Sequence, residues 1–242
     1  DDRIESFYMR SIVGTGPGGF RGMLYRNGRV VRPLLDCTRE GLRAYLEGLA
    51  AGADGGAAAG DASAPGTGGL WREDATNAHT DRFRAYVRHE IVPKARAWNE
   101  GLDATLGRTM NLIADEDDML EAMADDVVAA DVAAPDGSRT GEGGRPLEGA
   151  DFAEGFLLEP SFGCVLRPLQ RRVVHRLLQE MLGAGQRVDA ASVAAVLDGF
   201  ADDGIPQGGY VANIQGNLAV SANKLGVRVE PMAAFRSRRN RA

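Results

Sequence analysis

The sequence predicts an α+β fold in which helices dominate the first half and strands gather near the end. Apolar residues recur at helical spacing in several segments before residue 130. After residue 205, short apolar segments alternate with turn signals that contain Gly and Asn. Two stretches rich in Gly, Ala and polar residues, 50–69 and 131–149, interrupt these patterns and are predicted to be a flexible insertion and a linker.

The chain opens with a predicted helix and a hairpin. Residues 2–12 have an amphipathic pattern, and the glycines that follow end the helix. We expect the apolar side chains of this helix to face inward: Ile4, Phe7, Tyr8 and Ile12. The pair Asn27-Gly28 is the strongest turn signal in the chain and predicts a hairpin over residues 24–31.

A group of helices is predicted next. Thr38 is a suitable N-cap for a helix whose apolar side chains are expected to face inward: Leu42, Tyr45, Leu46 and Leu49. Phe83, Val87 and Ile91 mark a second helix, which Pro93 interrupts. We expect Trp98 to anchor the following turn. A third, long helix with a solvated acidic side is indicated by apolar residues at helical spacing: Leu102, Leu106, Ile113, Leu120, Met123 and Val127.

The last part of the chain predicts a small α+β domain. Helices are expected over 168–183 and 189–201. Strands are expected near 209–214, 218–221 and 226–229, separated by Gly- and Asn-containing turns.

Composition excludes several classes of protein. No run of about 18 apolar residues and no signal-peptide pattern occur, so we expect no membrane span and a cytoplasmic location. Cys37 and Cys164 lack metal-site spacing, and we expect neither a disulfide framework nor a protein-bound metal site. The net charge of −6 is segregated, since no Lys or Arg lies between Arg108 and Arg139. The protein can therefore present a basic surface although its net charge is negative.

Two groups of arginines are candidates for binding nucleic acid. Arg84 and Arg88 lie four residues apart and so share one face of a helix, beside His89. Guanidinium forks suit phosphates. A solvated flank or a surface salt bridge is the ordinary alternative for such arginines, and His89 can equally serve helix packing. Arg171 and Arg172 lie on the predicted outer face of helix 168–183, where RNA contact and plain solvation are both open.

Several segments, taken in order, resemble the tRNA(Ile)-lysidine synthetases. They are the opening Asp1-Asp2-Arg3-Ile4-Glu5, the turns Gly14-Thr15-Gly16 and Gly22-Met23, Val30-Val31-Arg32-Pro33-Leu34-Leu35, Trp71-Arg72-Glu73-Asp74-Ala75-Thr76-Asn77 with Arg84 and Arg88, the acidic stretch 112–120, and Leu166-Arg167-Pro168-Leu169-Gln170. The resemblance implies the end of an α/β ATP-pyrophosphatase domain at 1–36. It also implies a helical tRNA-binding module at 37–130, a linker at 131–149 and a small C-terminal domain at 150–242.

The resemblance also implies a reaction. Such enzymes use ATP, with Mg expected, to adenylate the wobble cytidine of tRNA(Ile), and the amine of lysine then replaces AMP. Asp2 and Glu5 are implied as residues that bind or deprotonate lysine, although acidic residues in a first helical turn also simply favour the helix dipole. Gly14, Thr15 and Gly16 are implied as a nucleotide or RNA loop, and a tight helix stop explains them equally well.

The chain begins without Met and has no Ser-Gly-Gly-x-Asp-Ser type loop for ATP phosphates, so we expect a fragment that is inactive alone. A noncatalytic RNA-binding or interaction protein derived from the same family is the main alternative. A base thiolase is a third, but such enzymes need cysteines for sulfur chemistry, and only two scattered ones are present. The sequence leaves the oligomeric state open.

Overall fold

The computed structural model describes residues 1–52, 71 and 82–240, and it divides into two compact units, Asp1–Asp118 and Met119–Ala242. Most of the predicted insertion 50–69, and the predicted motif residues 72–77, lie outside the described residues. The described elements mix helices with a small sheet near the C-terminus, which confirms the α+β class.

The first unit begins as the sequence predicts. Its elements are helix α1 (Asp2–Val13), a 3-10 turn (Pro17–Arg21), strands β1 (Arg26–Asn27) and β2 (Val30–Val31), and helix α2 (Arg39–Gly52). The two strands form an antiparallel hairpin, and Gly28 at its turn has φ of 57°. Thr38 caps α2 as expected, because its Oγ1 accepts a hydrogen bond from the backbone N–H of Gly41 at 3.0 Å.

The remaining helices of the first unit follow one another closely. They are α3 (Phe83–Tyr86), a π-helical turn (Val87–Ile91), α4 (Val92–Trp98) and the long α5 (Leu102–Asp131), whose residues after Asp118 belong to the second unit. The small core of the first unit contains Ile4, Val87, Val92 and Leu102. α1 therefore packs directly on the π-helical turn, which places the functional candidates of both elements side by side.

Some inward-facing predictions are wrong. Ile12, Tyr45 and Leu49 are each more than half exposed in the described structure, and Trp98 is 93% exposed rather than anchoring a turn. Ile12 lies in the last turn of α1, beyond the part that contacts Val87. An amphipathic pattern shows which face can be buried, whereas the length of the buried stripe depends on the neighbouring elements.

The second unit is a sheet with helices on both faces. Its elements are β3 (Val132–Ala133), β4 (Phe156–Leu158), α6 (Arg167–Leu182), α7 (Ala190–Leu197), β5 (Val211–Ile214), β6 (Leu218–Asn223), β7 (Gly226–Pro231) and α8 (Met232–Arg239). The strand order is β3-β4-β7-β6-β5, and every neighbouring pair is antiparallel.

The inner face of the sheet forms one core with α6 and α7. Buried members come from every layer and include Phe156, Val229, Leu177 and Val196. On the outer face, Met232 and Phe235 of α8 pack against Ala219 of β6. Residues one apart on β6 therefore face opposite sides of the sheet, as a strand requires.

The predicted strands β5 to β7 and helix α6 are confirmed, but β3, β4 and α8 were missed. β4 is only three residues long, Phe156–Leu158, and all three are buried, so it lacks an alternating pattern. β3 lies at the start of the segment predicted as a linker and pairs with β4. The predicted helix 189–201 is shorter in the structure, where α7 ends at Leu197.

Candidate functional site

The predicted carboxylates and the first pair of predicted arginines meet in one cluster. Glu5 lies on the face of α1 that packs on the π-helical turn, and its side chain is only 2% exposed. Arg84 from α3 and Arg88 from the turn both reach it, although they lie 79 and 83 residues away in sequence. The four-residue spacing therefore does place both guanidinium groups on one side, as predicted.

Glu5 accepts three hydrogen bonds from these arginines. Arg88 donates from Nε to Oε1 at 2.6 Å and from Nη2 to Oε2 at 3.0 Å, while Arg84 donates from Nε to Oε2 at 2.9 Å. The pairing between Arg88 and Glu5 is bidentate, the strongest common form of such an ion pair. Burial raises the pKa of the Glu5 carboxyl, but hydrogen bonds from Arg88 and then Arg84 outweigh it, so the pKa lies below its ordinary value.

Asp2 completes the cluster at its exposed edge. Its Oδ1 accepts a hydrogen bond from Nη2 of Arg84 at 2.8 Å. The side chains of Asp2 and Arg84 are 51% and 47% exposed, whereas that of Arg88 is 15% exposed. The cluster thus has a buried half, Glu5 with Arg88, and a solvent-facing half, Asp2 with Arg84.

Pro93 explains why a π-helical turn lies here. A proline has no N–H, so it cannot donate to the carbonyl four residues earlier in a regular helix. The chain passes from α3 to α4 through Val87–Ile91, and Pro93 occupies the first turn of α4. Such widened turns are rare in helices and are frequently found at functional sites. Arg88 and the exposed His89 both lie in this turn.

A cavity of about 590 Å³ in the first unit adjoins the buried half of the cluster. Its lining alternates in charge: Asp1, Glu5, Glu40 and Asp103 with Arg39, Arg43, Arg88 and Arg96. Arg96 joins two of these acids, since its Nη2 lies 2.7 Å from Oδ1 of Asp1 and 2.8 Å from Oδ2 of Asp103. The cavity can therefore accept a zwitterion, because both signs of charge line it.

The burial of another arginine, Arg3, was not predicted from the sequence. It is 4% exposed and donates to Asp36 at 2.7 Å, to Asn111 at 2.6 Å and to the hydroxyl of Tyr25 at 2.8 Å. Tyr25 also donates to Asp36, and this hydrogen bond is the largest cause of the lowered pKa of Asp36. All three partners are distant in sequence, so no local signal could have identified this network.

The predicted loop Gly14-Thr15-Gly16 is first of all a helix stop. Gly14 has φ of 89°, and its N–H donates to the carbonyl of Arg10 at 2.9 Å, which ends α1. Space is open around the Cα atoms of Gly14 and Gly16. Thr15 instead lies against Gly19. A Cβ added to Gly19 would lie 1.8 Å from Oγ1 of Thr15.

The second group of predicted arginines lies in the other unit. Arg172 of α6 forms an ion pair with Glu121, and Arg176 forms one with Asp125 at 2.7 Å. Arg171 is exposed, and among the described residues no ion pair or hydrogen bond involves it. Arg171 is therefore the member of this group that presents an uncompensated charge to solvent.

Two absences among the described residues bear on the class of site. Within residues 1–52, 71 and 82–240, no group of three or more His, Cys, Asp or Glu side chains is placed to hold a metal ion. No helix in that part of the chain is long and apolar enough to cross a membrane.

About half of the chain is similar to a family of tRNA-modifying enzymes. Curated proteins similar to it are tRNA(Ile)-lysidine synthases, and the similarity covers about half of the chain, which confirms the resemblance recognised from the sequence motifs. No protein-family model matches the chain.

Three relatives give the extent of this similarity. The synthase of Treponema denticola is 30% identical over 112 residues, which are 45% of this chain and 20% of that protein. That of Geobacter sulfurreducens is 30% identical over 132 residues, 53% of this chain and 24% of the relative. That of Deinococcus deserti is 36% identical over 123 residues, which are 51% of this chain and 19% of the relative. The matched region thus spans about a fifth to a quarter of these relatives.

Proposed function

We propose that this chain is part of a tRNA-modifying ligase that converts the wobble cytidine of tRNA(Ile) to lysidine, with ATP and lysine as its other substrates, in the cytoplasm. The supporting observation is the cluster itself. Two carboxylates and two arginines, Asp2, Glu5, Arg84 and Arg88, belong to segments that resemble the family, and they meet at one place.

The chemistry explains why such a cluster is useful. The carbonyl carbon of cytidine is a poor electrophile, so its oxygen is first joined to the AMP group of ATP, which releases pyrophosphate. The side-chain amine of lysine then attacks that carbon, and AMP leaves with the oxygen. Lysine brings a carboxylate and ammonium groups, and the attacking ammonium must lose a proton before it can form the bond.

Asp2 is the better candidate for contact with the lysine ammonium. It is half exposed, and in the described structure only its Oδ1 is hydrogen-bonded, which leaves Oδ2 for a substrate. An aspartate in this position can bind the ammonium and accept its proton. We therefore assign the substrate contact to Asp2.

Glu5 is better suited to positioning. Both of its oxygens are already bonded to arginines, and the lowered pKa of its carboxyl makes it a weaker base. Its negative charge holds Arg84 and Arg88 close together despite their mutual repulsion. We assign to Glu5 the role of fixing the arginines around the substrate.

The arginines divide in the same way. Arg84 is half exposed and can still reach an RNA phosphate or the lysine carboxylate, whereas Arg88 is largely buried against Glu5. A base that is to be modified must leave its stack, so contacts to the phosphates beside the wobble cytidine are required to hold it. Arg84, exposed His89 and, in the other unit, Arg171 are our candidates for RNA contact.

Lysine binding tests this proposal. Isothermal titration calorimetry of lysine should show binding that Asp2→Asn weakens about tenfold or more, the loss of one charge-assisted contact. Glu116→Gln is the matched control, because it removes an exposed carboxylate from α5 outside the cluster. A parallel fluorescence-anisotropy titration measures binding of the tRNA(Ile) transcript.

The two measurements separate the ligase from its alternative. Lysine binding that depends on Asp2, together with tRNA binding, supports the ligase. If the unsubstituted chain binds the tRNA but no lysine, the chain is a noncatalytic RNA-binding protein, and the assignment of Asp2 is overturned.

A further inference from the structure

A second cationic site lies elsewhere in the first unit. A cavity of about 360 Å³, here called the arginine pocket, is lined by Arg10, Arg21, Arg32 and Asn27, with glycine, Met and Leu residues completing it. Among the described residues that line it, none is acidic. Three guanidinium groups converge here, and two of them, those of Arg10 and Arg32, have no carboxylate partner among the described residues, which gives the surface a positive potential.

Arg10 and Arg32 are held in place by neutral groups. Arg10 donates from Nη1 to the carbonyl of Gly19 at 2.6 Å, and Arg32 donates from Nη1 to the carbonyl of Leu24 at 3.2 Å. Neither residue forms an ion pair within the part of the chain that the structure describes. These bonds fix one nitrogen of each fork, and the remaining donors and both charges are left for a ligand.

Arg21 forms the base of the pocket. It pairs with Asp117 and with Asp118, both at 2.7 Å, while its Nε is buried and has no hydrogen-bond partner among the described residues. Burial lowers the pKa of its guanidinium, and the hydrogen bonds that it donates to Asp117 and Asp118 more than offset this. Arg21 is therefore charged, and Asp117 and Asp118 hold it in place in the lining of the pocket.

The glycines of this turn allow the arrangement. A Cβ at Gly18 would lie 2.4 Å from Oδ1 of Asp117, the carboxylate that holds Arg21. Gly22 has φ of 73°, and a Cβ there would lie 2.3 Å from Cε of Met110. Larger residues at either position would push the turn away from α5 and separate Arg21 from its partners.

We propose that the arginine pocket binds a phosphate group. Planar guanidinium groups pair with phosphate oxygens through two parallel hydrogen bonds, and no carboxylate among the described residues competes for those of Arg10 and Arg32. A basic residue in a last helical turn also favours the helix dipole, which would explain Arg10. The dipole does not explain why Arg32, which follows β2, points into the same cavity.

The phosphate can be free, as in pyrophosphate, or part of an RNA backbone. The choice between pyrophosphate and RNA rests on the proposed function. The proposal that the pocket binds phosphate rests only on the positions of its arginines. It is also separate from the cluster around Glu5, with which it shares no lining residue. A failure of lysine binding at Asp2 would therefore leave this proposal intact.

The test compares two double variants of the full chain. Arg10→Gln with Arg32→Gln removes the two uncompensated charges of the pocket. Arg26→Gln with Arg29→Gln is the matched control, because both residues are exposed, belong to the same hairpin region and lie outside the lining. Inorganic pyrophosphate is titrated by calorimetry, and an RNA hairpin with the anticodon arm of tRNA(Ile) is titrated by anisotropy at several salt concentrations.

We expect the pocket variant to lose at least about tenfold in affinity for the ligand that uses the site. If RNA is that ligand, the slope of log affinity against log salt should also fall by about 0.7 to 0.9 per lost contact. Loss of pyrophosphate binding identifies a free phosphate as the source, and loss of RNA binding alone identifies the backbone. Circular dichroism of both variants checks folding. The double variant Arg10→Lys with Arg32→Lys keeps both positive charges but removes the planar guanidinium groups. Equal behaviour of pocket and control variants with both ligands overturns the proposal.

Discussion

Arg88 contacts Glu5 through two nitrogens, Nε at 2.6 Å and Nη2 at 3.0 Å, and both side chains are largely buried. Because of this ion pair, a substitution at Arg88 affects the stability of the fold as well as any binding of phosphate. The sequence predicts Arg88 as a phosphate ligand on a solvated helix face, so its removal would be expected to leave the fold intact. In the structure its removal leaves a buried carboxylate with only Arg84 to compensate it.

Arg88→Ala should therefore destabilise the first unit by about 3 kcal/mol, the usual cost of removing one partner of a buried ion pair. Arg84→Ala should cost less, about 1 kcal/mol, because the Arg84 side chain is half exposed and Glu5 keeps its bidentate pair with Arg88. Urea unfolding followed by circular dichroism measures both. Similar losses for the two variants would mean that Glu5 is not buried as described.

The local half of this structure could be predicted from the sequence. The Asn27-Gly28 turn, the Thr38 cap and the spacing of Arg84 and Arg88 all act within a few residues, and each produces the expected element. The site could be predicted only as separate residues. Asp2 and Arg84 lie 82 residues apart, so their contact depends on packing that no local pattern records.

Features that depend on contacts between distant residues were missed for the same reason. The partners of Arg3 are 22, 33 and 108 residues away, and polar residues beside it in α1 gave it the pattern of an exposed position. β4 was missed for a different reason, since three consecutive buried residues carry no period. The arginine pocket likewise combines a helix end, a turn and a hairpin.

Stability should depend on pH through Glu5. Its pKa is lower in the folded protein than the ordinary value of 4.5, so its contribution is complete above that value. This contribution is lost as the pH falls below 4.5 and through the native pKa. Urea midpoints measured between neutral and acidic pH should fall more steeply for the unsubstituted chain than for Glu5→Gln. Parallel curves would exclude Glu5 as a source of acid sensitivity.

Gly163 should tolerate no side chain. An added Cβ would lie 1.8 Å from the carbonyl oxygen of Gly204 and 2.8 Å from Cδ1 of Phe200, so the two backbone segments would have to separate. Gly163→Ala should destabilise the second unit by about 2 kcal/mol or more, as overpacked cores are. Gly208→Ala is the control, since no atom lies within 4 Å of its added Cβ. Thermal unfolding of both variants distinguishes a strained turn from a general effect of alanine.

The last prediction concerns RNA contact by the second unit. Arg171 is exposed and unpaired in the described structure, whereas Arg172 is neutralised by Glu121. If α6 contacts tRNA phosphates, Arg171→Gln should weaken tRNA binding and reduce the salt slope by about 1, with no loss of stability. Arg172→Gln should change binding less, because its charge is already compensated.

Lys224→Gln provides the comparison for loss of a charge alone, since Lys224 is exposed in the turn between β6 and β7. Anisotropy titrations at several salt concentrations measure all three variants against the tRNA(Ile) transcript. A salt slope that falls equally for Arg171→Gln and Lys224→Gln would show a diffuse electrostatic attraction. In that case α6 is a solvated face, and the RNA contacts of this chain must be sought around Arg84 and the arginine pocket.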